Sequence, residues 1–115
     1  MITRTITLAA LLALIAASWA PIRANAQEKY PRAHQVNSRL KRQAGRTRNG
    51  IKSGQLTKHE ARSVKRSDAR IHASERRDRI AHSGHLTKGE DKRLNHRLNR
   101  NSGKIYKDKH NDKTR

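Results

Sequence analysis

The sequence predicts an all-α chain, a small open bundle of about three helices. Three observations predict it. The octapeptide SGQLTKHE at 53–60 returns thirty residues later as SGHLTKGE at 83–90, with six of eight positions unchanged. Apolar residues on either side of these stretches recur at helical spacing. The implied connections are about four or five residues long, and short connections favour helices that fold back on one another.

The octapeptide has a local logic. Thr57 is followed three residues on by Glu60, and Thr87 by Glu90. This is the capping-box pattern: the Thr hydroxyl accepts from the backbone N–H three residues on, and the carboxylate reaches back to the Thr N–H. Gly54 and Gly84 precede each Leu and suit a tight or left-handed position that ends the previous helix. Each octapeptide therefore reads as helix stop, turn, helix start.

Taken in order, residues 1–26 read as a secretory signal peptide. Arg4 precedes an apolar run from Ile6 to Trp19, and Ala24-Asn25-Ala26 supplies a small-residue site with the cut expected after Ala26. The run is short for a membrane span, which needs about 20 residues. Residues 27–32 read as a loose lead-in. A helical domain follows over 33–107, with its two related turns within 49–60 and 79–90. The first helix is expected over about 31–49, with Val36, Leu40 and Ala44 inward. The second runs over about 58–82 behind Ala61, Val64 and Ile71, interrupted by Asp68 where the spacing expects an apolar residue. Its polar runs RSVKRSDAR (62–70) and SERRDR (74–79) leave a single long, partly solvated helix as the alternative. The third runs over about 88–109 with Leu94, Leu98 and Ile105 on one face. Ser102-Gly103 weakens it. Residues 108–115 carry no large apolar residue and read as a disordered basic tail.

The turns also resemble the second half of an EF-hand loop. With Glu60 as the twelfth position, Gly54 is the sixth, Leu56 the eighth and Thr57 the ninth; Glu90, Gly84, Leu86 and Thr87 fall the same way. The resemblance implies a helix–loop–helix scaffold. Its calcium chemistry does not carry over. Calcium needs oxygen ligands at the first, third and fifth positions. This chain places Asn49, Ile51 and Ser53 there in one loop, and Arg79, Ala81 and Ser83 in the other. The layout is also similar to small basic exported bacterial proteins of unknown function with paired G-x-[LV]-T-x-x-E turns, a resemblance that implies no activity.

Charge bounds the function. The chain has 28 Lys and Arg against nine Asp and Glu. Removing residues 1–26 takes Arg4 and Arg23 and no acid, leaving 89 residues of net charge +17. That product has no Trp, Met, Phe or Cys, and Tyr30 and Tyr106 are its only aromatics. Without cysteine there is no disulfide and no lipobox anchor. Cations crowd the runs 39–48, 62–66, 75–79, 92–100 and 104–113. Candidate anion-binding residues are Arg39, Lys41, Arg42, Arg46, Arg48, Arg76, Arg77, Lys92, Arg93 and Arg97, because dense positive charge attracts polyanions.

No catalytic residue and no cofactor is expected. There is no Cys nucleophile, no G-x-S-x-G and no phosphate-binding Gly-rich loop. Glu60 and Glu90 are explained by capping. Seven histidines raise a metal alternative, with His82 and His85 in HSGH as its candidates, but metal sites need three or four converging ligands. The expectation is a non-enzymatic periplasmic or secreted protein. Its partner would be an anionic membrane surface or envelope polyanion: lipid headgroups, lipopolysaccharide phosphates or anionic polymers. The alternative is a periplasmic metal- or acid-stress protein using its histidines. Export removes chromosomal DNA and cytoplasmic RNA as partners, and scarce aromatics disfavour base stacking. Oligomeric state is left open.

Overall fold

The computed structural model describes residues 29–113. The segment read as a signal peptide, its cut site and residues 114–115 lie outside the described residues. Three helices follow one another: α1 (Pro31–Lys52), α2 (Lys58–Ala81) and α3 (Lys88–Lys109). No strand occurs among the described residues. Contacts run antiparallel between α1 and α2 and between α2 and α3, so α1 and α3 are parallel. Asn37 meets Glu75 across the first pair, and Ser74 meets Arg97 across the second. Arg39 meets Asn95 and Asn99 across the parallel pair. No described helix is long and apolar enough to cross a membrane.

Both capping boxes form. Glu60 N donates to Thr57 Oγ1 at 3.2 Å and Thr57 N donates to Glu60 Oε2 at 2.9 Å. Thr87 and Glu90 repeat the same two bonds at the same distances. The two related octapeptides nonetheless follow different backbone paths. In the first turn only Gly54 has positive φ, at 70°; in the second, Ser83 and Gly84 both do, at 52° and 96°. There Gly84 N closes back onto Arg79 O at 2.8 Å. Asn49–Lys52 and Arg79–Ala81 are helical, as are Lys58–Glu60 and Lys88–Glu90, so only the middle of each EF-hand-like stretch, 53–57 and 82–87, is turn.

The buried seam advances in alternating steps of three and four residues. On α1 it is Ala33, Val36, Leu40, Gln43, Thr47 and Gly50. On α2 it passes Ala61, Val64, Ile71, Glu75 and Asp78, with half-buried Asp68 in sequence. On α3 it is Leu94, Leu98, Asn101, Ile105 and Asp108. This spacing is that of packed, left-handed helical bundles. The expectation that Ala44 faces inward is corrected: Ala44 is exposed, and Gln43 and Thr47 occupy the seam. Asp68 interrupts nothing. The amide nitrogen of Asn101 donates to Asp68 Oδ1 at 2.7 Å and to Gln43 Oε1 at 3.3 Å, while Gln43 Nε2 donates to Leu98 O at 2.7 Å. A polar layer thus crosses all three helices. One apolar cluster lies on its second-turn side, comprising Ala33, Val36, Leu40, Ile71, Leu86, Leu94 and Leu98. Leu56, Ala61, Val64 and Ile105 are buried toward the first turn.

Of the eleven large aliphatics beyond the signal segment, Ile51 and Ile80 are exposed and the rest are buried. Helix α3 spans the expected 88–109 and runs unbroken through Ser102-Gly103. Two further expectations are corrected. The tail expected to be disordered from 108 starts with a buried helical Asp108 and continues to Asn111, whose amide donates to Glu60 Oε1 at 2.7 Å. The lead-in is seated as well: Tyr30 packs on Gly84 and edge-on against His85, and Arg32 donates to Leu86 O at 3.3 Å.

Candidate polyanion-binding surface

The fold sorts charge by sign. Of the eight carboxylates among the described residues, Glu60, Glu75, Asp78 and Asp108 are buried, Asp68, Glu90 and Asp91 are half-buried, and Asp112 alone is exposed. No described Lys or Arg is buried. The reason lies in side-chain length. Arg and Lys lay their methylenes along the helix and keep the charge in water. The short acids on the seam point inward, where cations or amides reach in to meet them. Arg93 pairs with Asp78 at 2.7 Å, Arg79 with Glu75 at 3.0 Å and Lys104 with Asp108 at 2.8 Å. Glu75 also accepts from Asn37, and its second oxygen is buried without a partner.

The candidate cations divide into two groups. Arg39, Arg46, Arg93 and Arg97 tie helices together: Arg39 to Asn95 and Asn99, Arg46 to Ser102 at 2.6 Å, Arg93 to Asp78, and Arg97 to Ser74 at 2.8 Å. Arg77 is exposed, 3.9 Å from Asp78. Lys41, Arg42, Arg48, Arg76 and Lys92 are exposed and make no hydrogen bond or ion pair among the described residues. They spread over all three helices and converge on no single point.

Convergence occurs elsewhere, in a groove of about 360 Å³ between α2 and α3. Arg66 and Arg70 form one wall; Arg97, Arg100 and Lys104 form the other. Ser63, Ser67 and Asn101 complete the lining, and no carboxylate is among them. Only Arg97 of this set is among the cations that density along the chain singles out. The signal that finds the groove is facial: 66 and 70 are one turn apart on α2, and 97, 100 and 104 lie on one face of α3.

The remaining candidates are placed as follows. Hydrogen bonding from the Thr57 backbone N–H, opposed by burial and aided by the Thr57 hydroxyl, Asn111 and Lys113, lowers the Glu60 pKa to about 2. Glu90 is lowered chiefly by the Thr87 N–H. Both carboxylates are engaged as caps. All seven histidines are exposed. His82 Nδ1 faces Asp78 O at 3.0 Å and Glu90 Oε1 at 3.3 Å, while His85 packs on Tyr30. Among the described residues no three His, Cys, Asp or Glu side chains converge to hold a metal ion.

Comparison with protein families, curated proteins and solved structures finds no match to this chain.

Proposed function

We propose that this is an exported, non-enzymatic basic helical protein that binds anionic envelope components electrostatically. Lipid headgroups, lipopolysaccharide phosphates and anionic polymers are the candidate partners. The observation that carries this reading is the sorting of charge by sign. Buried acids do not meet an approaching polyanion, whereas Lys41, Arg42, Arg48, Arg76 and Lys92, unpartnered among the described residues, lie on the surface it meets. Cations held near an anionic membrane contribute about 1 kcal/mol each.

Co-sedimentation with phosphatidylglycerol vesicles tests the reading, with phosphatidylcholine vesicles as the reference. Exposed charges are screened over about 8 Å at physiological salt. Binding is therefore expected to be strong at low salt, to fall steeply as salt rises, and to be absent for the neutral vesicles. Equal binding to both vesicles, or binding indifferent to salt, contradicts it.

A further inference from the structure

The α2–α3 groove differs from its neighbours. The groove beside the first half of α3 includes Asp91, and the α1–α2 groove near the first turn includes Asp68. The α2–α3 groove brings five cations together with no carboxylate in its lining. Like charges this close repel, and that repulsion is relieved when an anion enters. Two of the five are held in place from outside, Arg97 by Ser74 and Lys104 by Asp108. Arg66, Arg70 and Arg100 have no hydrogen bond or ion pair among the described residues and keep their full donor capacity.

A guanidinium presents a planar fork that grips two oxygens at once. Forks arriving from two walls need an anion with more than two free oxygens. A phosphomonoester offers three strong acceptors and close to two negative charges. A phosphodiester has fewer free oxygens and one charge. The Ser63 and Ser67 hydroxyls lie in the same lining as further donors.

We propose that this groove is a binding site for a dianionic phosphate group, either a phosphomonoester headgroup on an envelope lipid or the end of a free pyrophosphate. The site rests on the polyanion-binding reading and narrows it to one groove and one chemical class.

The test compares the wild-type chain with two double variants of equal charge. R70Q/R100Q strips the groove. K58Q/R62Q removes two exposed cations that line no part of it. None of the four has a partner to lose among the described residues, so both variants are expected to keep the wild-type melt by circular dichroism. Titration calorimetry with sodium pyrophosphate at fixed ionic strength is expected to show about a tenfold or greater loss of affinity for R70Q/R100Q, which corresponds to about 1.4 kcal/mol. K58Q/R62Q should stay within about threefold of wild type, as long-range screening predicts.

Vesicles distinguish the two sources. A preference for phosphatidic acid over phosphatidylglycerol at matched surface charge, lost in R70Q/R100Q, identifies a lipid headgroup. Groove-dependent pyrophosphate binding without that preference identifies a free phosphate. Either result supports the site. Equal losses in the two variants, or no pyrophosphate binding by wild type, overturn it. If salt-sensitive binding to phosphatidylglycerol persists in that case, the broader reading stands without the groove. Groove-dependent pyrophosphate binding with no binding to phosphatidylglycerol overturns the broader reading and leaves the site.

Discussion

The side-chain amide of Asn101 on α3 donates to the Asp68 carboxylate on α2 at 2.7 Å, inside the bundle. With Gln43 on α1 the pair forms a polar layer that sets the three helices in register. Burial raises the Asp68 pKa, and the Asn101 hydrogen bond opposes the rise.

The sign of the Asp68 effect follows. A carboxyl with a raised folded-state pKa binds more protons folded than unfolded, so stability falls as pH climbs through its titration. Asp68→Asn keeps an acceptor for Asn101 and removes the charge. It is expected to melt higher than wild type at neutral pH, with the gap closing on acidification. Asn101→Ala withdraws the donor and is expected to cost about 1–3 kcal/mol, as for other half-satisfied polar groups. Urea titrations at several pH values check both.

Glu60 acts in the opposite direction. Its pKa is lowered from 4.5 to about 2 by the Thr57 N–H first, against burial. Its stabilisation is therefore present above pH 4.5 and lost as pH falls toward 2. Glu60→Gln is expected to flatten this acid limb of the stability profile. Thr57→Ala removes the hydroxyl half of the box at about 1 kcal/mol. Thr87→Ala is expected to cost less, because Thr87 is exposed, whereas Thr57 is half-buried and its hydroxyl also donates to Glu60 Oε2 at 2.8 Å.

Two glycines make a contrasting pair. A Cβ on Gly50 would lie 2.7 Å from Leu56 Cδ1, a side chain that is itself buried. Gly50→Ala is expected to destabilise by about 1–3 kcal/mol through overpacking. A Cβ on Gly103 meets nothing within 4 Å in the middle of α3. Gly103→Ala is expected to stabilise by about 0.5–1 kcal/mol through helix propensity. Thermal melts of the two variants should move in opposite directions.

These residues also show what could be read from the chain. Thr57, Glu60, Thr87 and Glu90 announced both helix starts, because capping is a local interaction and its spacing survives in sequence. Helix number and all-α class followed from them. The seam was harder. Seven of its seventeen positions are polar, Gln43, Thr47, Asp68, Glu75, Asp78, Asn101 and Asp108, and a search for apolar residues passes over them. Asp108 with Lys104 and Glu75 with Arg79 pair at i,i+4 on one helix, but Gln43, Asp68, Asp78 and Asn101 find partners on other helices, of which sequence offers no local sign. The differing backbone paths of the two turns were equally hidden: the octapeptide is shared, while Ser53 has φ −79° and Ser83 φ 52°. The groove cations were visible as charges and not as neighbours, since α2 and α3 meet only after the second turn is made.

A bundle that folds by itself and offers its outward cations to anionic surfaces is tested by a circular-dichroism melt of the chain in physiological salt, alone and with phosphatidylglycerol or phosphatidylcholine vesicles. A cooperative helical melt is expected in buffer alone. The midpoint should rise with phosphatidylglycerol, because a ligand that binds the folded state stabilises it, and should not move with phosphatidylcholine. A chain that is weakly helical until vesicles are added, or a midpoint indifferent to phosphatidylglycerol, would contradict it.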